Sequence, residues 1–454
     1  MAALGTARTT TRSREDDHIG LMSRTLRELT GFTTMVFELI QNADDTETAT
    51  CLRFDVRDEA LVVEDDGGFS DCDRQDLGVH SCPFLAERGH RCDFHSFRLF
   101  SSADKRRRHN TTGAMGIGFT SVYQVTDRPE LISGRLHWVI DETKEQNERI
   151  VETVLDVPHV GTRFVLPWAT DPKSEFRIRA EVAAAPADVD EQLLAALDEA
   201  VAPAMLFLRH LDRIEILRNG TLLRHVTRVA EGDQVLIDDT GTAQEWRLLH
   251  GNFDEQASGL RAQHPGQIED VRPSTVAVAV PVGFEVEGRL CATLPTGSVT
   301  RLPLHINAEL VLTSDRRQPL MSTPAASRWN AEAIACAGRL LATNLEALAD
   351  LLGPIRLWGA LDQAWALHRT DSTDPVAQAF RAIWEHVEPE LQGTPIVWTS
   401  DDKWASIDES RLALSQDEEI AFDLLEALGI AMVHPDLRPR RREAPVAHRA
   451  RSPD

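Results

Sequence analysis

Lysine is nearly missing from this 454-residue chain: Lys105, Lys144, Lys173 and Lys403 are its four, and arginine supplies the rest of 48 basic residues. Against them stand 72 acidic residues, a net charge of −24 that repels polyphosphate at long range and argues against nucleic acid as the default partner. Long apolar runs are also lacking. The longest candidate, Ser274 to Phe284, falls far short of the roughly 20 residues that a membrane helix needs, so no membrane span is expected. Cysteine is sparse, six in the whole length, which excludes a disulfide scaffold and favours a reduced, cytoplasmic setting. Residues 1–14 carry Arg8, Arg12 and Arg14 but no apolar stretch, so no secretory leader is read. No fixed-period repeat occurs. What remains, 42% apolar and 26% charged, is the composition of a folded chain, and a length prior of about 150 residues per domain suggests three units.

Residues 1–18 read as a polar leader. From Ile19 to Ala43 apolar residues recur at helical spacing (Met22, Leu26, Leu29, Phe32, Val36, Leu39, Ile40), predicting one long or broken amphipathic helix. Leu52, Phe54 and Val56 then alternate with Arg53 and Asp55, and Leu61-Val62-Val63 follows a polar turn; a hairpin is predicted. Residues 70–112 are irregular and rich in His, Cys, Arg and Ser, the composition of a lid or binding loop. A helix is expected after Gly118, strands near 136–140, 151–157 and 162–166, and a surface turn over the charged Asp141 to Arg149. A second unit, 171–352, holds an Ala/Leu-rich helix (Gln192 to Leu208), a strand-rich run and a helix from Asn330 to Leu352. A small mixed unit, 353–434, has a polar hairpin near Trp398 to Trp404, and the Arg/Pro-rich end, 435–454, reads as a disordered tail. Strands and helices without strict βαβ alternation point to the α+β class.

Four short segments carry candidate chemistry. At about 100° per residue Glu38, Asn42 and Asp45 share one helical stripe; the ordinary reading of such a stripe is a solvated face. Leu61 to Phe69 is a strand entering an acidic, Gly-paired turn, where Gly67 and Gly68 admit close backbone approach and a carboxylate can accept hydrogen bonds from an amino group. Thr112 to Tyr123 places Gly113, Gly116 and Gly118 ahead of an apolar segment, a pattern that can offer backbone N–H groups to phosphate oxygens. It is neither a dinucleotide fingerprint nor a P-loop. Gly161-Thr162 opens a strand. Each segment alone has an ordinary structural reading as a turn, loop or strand start.

In order and spacing the four together resemble the GHKL ATPases, the group of ninety-kilodalton heat-shock chaperones, histidine kinases, type II topoisomerases and mismatch-repair ATPases. Glu38, Asn42 and Asp45 match the first box, Asp65-x-Gly67 the second, Gly113 to Gly118 the third and Gly161-Thr162 the fourth. Further stretches resemble the sacsin-like branch: Gly118 to Asp127, Leu206 to Leu211, Leu294 to Thr296, Leu302 to Ala308, Leu312 to Arg317 and Trp329-Asn330. The resemblance implies an N-terminal ATP-binding α/β sandwich over 19–170, with a lid near 70–112, followed by an α/β transducer-like second domain. It further implies that Asp65 holds the adenine amino group beside Gly67 and Gly68, that Thr162 supports the base, and that Asn42, with Asp45 nearby, ligates Mg²⁺ on the phosphates. The amides of Gly113, Ala114, Met115, Gly116, Ile117, Gly118 and Phe119 would cradle those phosphates, and Glu38 would orient or deprotonate the attacking water. The second box departs from the chaperone pattern and reads Asp-Asp-Gly-Gly-Phe, leaving Asp65 and Asp66 both as candidates, with the spacing to Gly67 favouring Asp65.

Three further features have two readings each. Lys105, in the run Lys105 to Arg108, is a lid cation or part of a solvated basic run. Arg316 and Arg317 are cations that reach the γ-phosphate from the second domain, as the resemblance implies, or members of a surface loop. Cys72, Cys82, Cys92 and His95 invite a zinc reading, but no Cys-x-x-Cys pair is present, and the spacing favours ordinary buried cysteines and exposed histidines. The functional expectation is a Mg²⁺-dependent, chaperone-like ATPase acting on a protein client through a nucleotide-driven clamp, with room for an ATP-dependent homodimer. The alternatives are a nucleotide-gated scaffold with little turnover and a DNA-linked member of the same group.

Overall fold

The computed structural model describes residues 17–99, 118–313, 315–411 and 427–440. The N-terminal periodic stretch forms two helices, α1 (His18–Glu28) and α2 (Phe32–Asp44). The break falls at Gly31, whose φ of 97° only glycine adopts at low cost. Asp17 caps α1 by accepting from the Gly20 amide, and Ile19, Met22 and Leu26 turn inward with Met35, Val36, Leu39 and Ile40 of α2.

The predicted hairpin follows as β1 (Cys51–Val56) and β2 (Ala60–Asp65), antiparallel with Phe54 opposite Val63. Two short helices, α3 (Pro83–Arg88) and α4 (Asp93–Phe97), lie in the segment read as irregular. The helix expected after Gly118 is a 3₁₀ helix, Phe119–Gln124. Its β-branched neighbours Thr120, Val122, Val125 and Thr126 are poor α-formers, and Pro129 follows closely. β3 (Glu130–Ile140) and β4 (Ile150–Pro167) then form a long antiparallel pair, joined by the charged turn that the sequence placed there.

After α5 (Glu175–Ala180) and α6 (Val189–Met205) come β5 (Arg213–Arg218), β6 (Thr221–Glu231), β7 (Gln234–Asp239), β8 (Thr242–Asn252), α7 (Asp254–Gln263), β9 (Thr275–Val282), β10 (Arg289–Ala292), β11 (Leu294–Val299) and β12 (His305–Ala308). All twelve strands join one mixed sheet, in the order β11-β10-β12-β9-β8-β7-β6-β5-β1-β2-β4-β3. The join is the parallel pairing of β1 with β5, so the sheet runs straight across the boundary read near residue 170. β9 is buried over Val276–Pro281, which explains its unbroken apolar sequence, since a central strand covered on both faces has no solvent side to alternate with.

The predicted helix 330–352 is two, α8 (Pro324–Thr343) and α9 (Leu345–Arg369), the latter kinked where Gly353 takes φ 70° before Pro354. α10 (Pro375–Ala379) and α11 (Arg381–Val387) pack beside α8, and a small hairpin pairs Val397–Trp398 with Trp404–Ala405. The apolar interior divides into one core under α1, α2, α6 and strands β1, β2 and β4–β8, a second built from β9, β10, β12, α8, α9 and α11, and a smaller third where Cys82, Cys92 and Phe94 meet Leu131, Leu136 and Trp138 of β3. The architecture is mixed α+β. No helix among the described residues is long and apolar enough to cross a membrane.

Candidate functional site

Glu38 lies on α2 with only 4% of its surface exposed. A buried carboxylate needs partners, and two distant segments supply its surroundings. Gly118, opening the 3₁₀ helix, leaves room for it: a Cβ there would stand 1.8 Å from Oε2 of Glu38. Arg316 sends its Nε to 3.1 Å from Glu38 Oε1 and donates Nη1 to Gln41 Oε1, one turn along α2. Its neighbour Arg317 donates to the Thr30 carbonyl at 2.7 Å. Arg316 thus meets the middle of α2, and Arg317 meets the turn just before that helix.

The arginine loop is held from behind. Leu312 bridges Pro319, and the buried Asn330 of α8 accepts from the Val311 amide at 2.8 Å while donating to the Val311 and Leu320 carbonyls. An amide side chain satisfied on both ends fixes the loop far better than an apolar contact would, because either half left unpaired carries a desolvation cost. The Trp329-Asn330 pair noted in the sequence thus acts on the position of Arg316.

A second group forms where β2 meets β4. Asp65 pairs in register with Thr162 and is buried, accepting from the Gly67 amide at 2.9 Å. Thr162 donates its hydroxyl to the Gly67 carbonyl at 2.8 Å and lies 3.1 Å from the Ser133 hydroxyl, which in turn donates to the Gly161 carbonyl. Two glycines are obligatory. Gly161 combines φ +82° with an approach that would put a Cβ 2.2 Å from the Asp65 carbonyl oxygen, and a Cβ on Gly67 would meet Thr46 at 2.7 Å. Gly68 faces open space. The two aspartates divide cleanly: Asp66 spends its carboxylate on the Thr50 amide and hydroxyl and the Cys51 amide, leaving Asp65 as the one turned inward.

Burial pushes the Asp65 carboxyl up to about 7, with the Gly67 amide opposing the shift and the Asp66 and Glu64 charges adding to it. A carboxyl raised on folding stabilises the native state below its unfolded value near 4 and loses that contribution as pH rises through about 7, a span worth at most about 4 kcal/mol. Urea unfolding of the ligand-free protein should therefore show a fall in stability between pH 4 and pH 7.5 that is smaller in Asp65→Asn. Equal pH slopes in both proteins would contradict a buried, proton-holding Asp65.

The other expected positions fall as follows. Asn42 is half-buried on α2, one turn beyond Glu38, and Asp45 ends the helix as its C-cap, its amide bonded to the Gln41 carbonyl at 2.9 Å. Phe119 wedges between Phe97 and Phe164, 5.0 Å from each ring centroid. Lys105 and Gly113 to Ile117 lie outside the described residues. One anchor was missed: Asp44, adjacent to the predicted Asp45, accepts from the amides of Arg209, His210 and Leu211 at 2.9–3.1 Å. The Leu206 to Leu211 stretch already stood out in the sequence, but the three amides that bind the Asp44 carboxylate belong to its backbone, which residue patterns do not show.

In the segment after Phe69 the structure departs from the spacing-based reading of ordinary cysteines with exposed histidines. Cys72, Cys82, Cys92 and His95 bring their ligand atoms within 4.8 Å of one another, and His95 is fully buried. This cluster sits against an aromatic wall of Phe69, Phe94, Phe97, Trp138 and Phe164, beside the Asp65–Thr162 end of the sheet.

Comparison with known proteins bears on the N-terminal part most directly. Residues 18–153 match the family model of the sacsin domain. Human (Homo sapiens) sacsin is 23% identical over 358 residues, which is 62% of this chain and 8% of sacsin. The chain therefore spans a small fraction of that relative. Together these two findings support a sacsin-like family. A crystal structure of the N-terminal domain of a DNA repair protein aligns with 66% of this chain and 91% of its own, at 11% identity and a TM-score of 0.35. At that score the alignment carries no argument about function.

Proposed function

We propose that this chain binds ATP between α2 and the Asp65–Thr162 end of the sheet, and that hydrolysis resets a chaperone-type clamp between its first and second units. The family-level match to sacsin supports a chaperone-type role, and the observation that carries the site is the buried Glu38 faced by Gly118 and Arg316. A carboxylate there can hold a water in line for attack, and an arginine from a remote segment can sense or stabilise charge on a transferring phosphoryl group.

The donor set fits a purine nucleotide. Asp65 is a buried carboxyl able to accept from an exocyclic amino group, and Thr162 has its hydroxyl oriented by Ser133 and Gly67. The Gly67 and Gly161 approaches keep side chains out of the strand ends. Gly118 and Phe119, with Gly113 to Ile117 before them, would offer amides to phosphate oxygens. Mg²⁺ entering with ATP would be held by Asn42 and would offset charge among carboxylates that otherwise repel a polyanion. Arg316 then has two partners to choose between: Glu38, as seen here, and substrate phosphate. Its release from Glu38 would free the carboxylate for water and shift the 311–320 loop, so nucleotide state and the relation of the two units are coupled through one side chain.

A second reading, a nucleotide-gated binding module with little turnover, draws on the same ion pair. An arginine that stays on Glu38 neutralises the base. Phosphate release by the full chain with Mg²⁺ and ATP separates the two: sustained release far above a buffer control supports the ATPase, whereas ATP binding without release supports the gated module.

A further inference from the structure

We propose that Cys72, Cys82, Cys92 and His95 form a structural zinc site that clips the 70–98 segment to the sheet beside Asp65. The inference stands on these side chains alone and does not depend on the ATP reading.

Four tetrahedral ligands around zinc, with Zn–S near 2.3 Å and Zn–N near 2.0–2.1 Å, put sulfurs about 3.8 Å apart and sulfur to nitrogen about 3.6 Å apart. The protein places Cys72 Sγ 3.6 Å from Cys92 Sγ and 4.0 Å from Cys82 Sγ, and His95 Nδ1 3.1 Å from Cys92 Sγ and 3.4 Å from Cys72 Sγ. These are four of the six edges of a slightly compressed ZnS₃N tetrahedron, and the remaining two, from Cys82 Sγ to Cys92 Sγ and to the His95 ring nitrogen, lie within 4.8 Å. They are too long for a disulfide, whose sulfurs are bonded at about 2.05 Å, and the cysteines are free thiols. A disulfide would also leave the histidine nitrogen facing sulfur with no purpose.

The surroundings are those of a ligand shell. His95 Nε2 lies 3.3 Å from the Leu77 carbonyl, so that nitrogen carries the proton and Nδ1 turns its lone pair to the sulfurs. The Cys92 amide donates to Cys82 Sγ at 3.4 Å, and Gln75 Nε2 points to Cys92 Sγ at 3.6 Å and to Cys72 Sγ at 3.9 Å. Thiolates accept such bonds; thiols do so only weakly. Binding would replace three thiol protons, which leave to solvent, by one Zn²⁺, and the site closes with four protein ligands and no position for water. That marks a structural rather than a catalytic centre.

The position explains what the metal would do. The ligands come from a loop, from the residue before α3, from the residue before α4 and from α4 itself, elements of five or six residues too short to hold shape alone. Asp93 ties the segment to Ser70 through side-chain and backbone bonds, and Phe94 packs edge-to-face against Trp138 of β3. Zinc would fix these short helices against β3 and β4, next to Gly67 and Phe69.

The test uses the full chain, purified without chelator and without a histidine tag, with zinc measured by atomic emission. About one zinc per chain is expected, falling below about a tenth in Cys92→Ser and Cys82→Ser but unchanged in Cys51→Ser, whose thiol is outside the cluster. Should the cluster variants fail to fold, Co²⁺ replacing zinc in the wild type decides: intense visible bands of tetrahedral cobalt with sulfur charge transfer support the site. Wild-type protein with reduced thiols that holds less than about a tenth of a zinc per chain overturns it. So does a weak octahedral cobalt spectrum, or equal zinc loss in Cys51→Ser.

Discussion

Glu38→Gln is expected to cut ATP-dependent phosphate release by about 10²–10⁴-fold while ATP affinity changes only a few fold. Glutamine keeps the volume that Gly118 makes room for and can still accept from Arg316, so the site's shape survives. What it loses is a charged oxygen to hold and deprotonate water. An alanine would confuse the outcome, because it would strand the Arg316 guanidinium among α2 side chains and open a gap opposite Gly118. Single-turnover phosphate release and calorimetric titration, run on the same preparation, separate chemistry from binding. Equal turnover in both proteins would show that Glu38 is only an ion-pair partner for the arginine loop.

Asp44→Ala should destabilise the chain by about 2–4 kcal/mol in urea unfolding, more than any neighbouring surface change. Its carboxylate gathers three successive amides, of Arg209, His210 and Leu211, and its carbonyl lies 2.6 Å from His210 Nδ1. Alanine leaves those N–H groups without acceptors. Leu211 is buried, so its amide has no water to turn to, while the partly exposed Arg209 and His210 recover some loss by hydration; that is why the estimate stays below three full penalties. Arg209 also ion-pairs with Glu309, whose carbonyl accepts from Trp329, so slack at Asp44 would be felt toward the loop that carries Arg316. Asp44→Asn, keeping one oxygen, should lie between. A loss below about 0.5 kcal/mol for Asp44→Ala would mean that the 206–211 turn holds its shape unaided.

The N-terminal part was legible where chemistry is local. A 3.6-residue apolar period marked helix over α1 and α2 and left one long or broken helix open, while alternation marked β1 and an apolar run after a polar turn marked β2. The facing of Asp65 and Thr162 was implied by motif resemblance, and the register now supplies its geometry. Long-range joins were not legible. The β1–β5 pairing is parallel, so no turn signal announces it, and the single sheet could not be foreseen from units read one after another. Asp44 and Asp45 are indistinguishable as letters; they differ because one points at a turn more than 160 residues away. The four residues of the cysteine cluster were named in the sequence, but their convergence was not legible, for a related reason. Among ligands at 72, 82, 92 and 95 only Cys92 and His95 have a familiar short spacing and no Cys-x-x-Cys pair occurs, while two short helices bring all four together.

The acidic balance acquires a location in this account. Glu38, Asp45 and Asp65 belong to the region proposed to receive a polyanion, whereas Asp66 turns to Thr50 and Cys51, and Arg316 reaches Glu38. The claim that ATP binds there is tested most directly by equilibrium titration of the full chain with ATP and Mg²⁺, beside Asp65→Asn. Saturable binding of about one ATP per chain, weakened roughly 10²-fold or more by the substitution, is the predicted result, since one Asp65 oxygen already accepts from the Gly67 amide and an asparagine must turn its NH₂ toward either that amide or the adenine amino group. No saturable binding at millimolar ATP, or equal affinity in the two proteins, would contradict it.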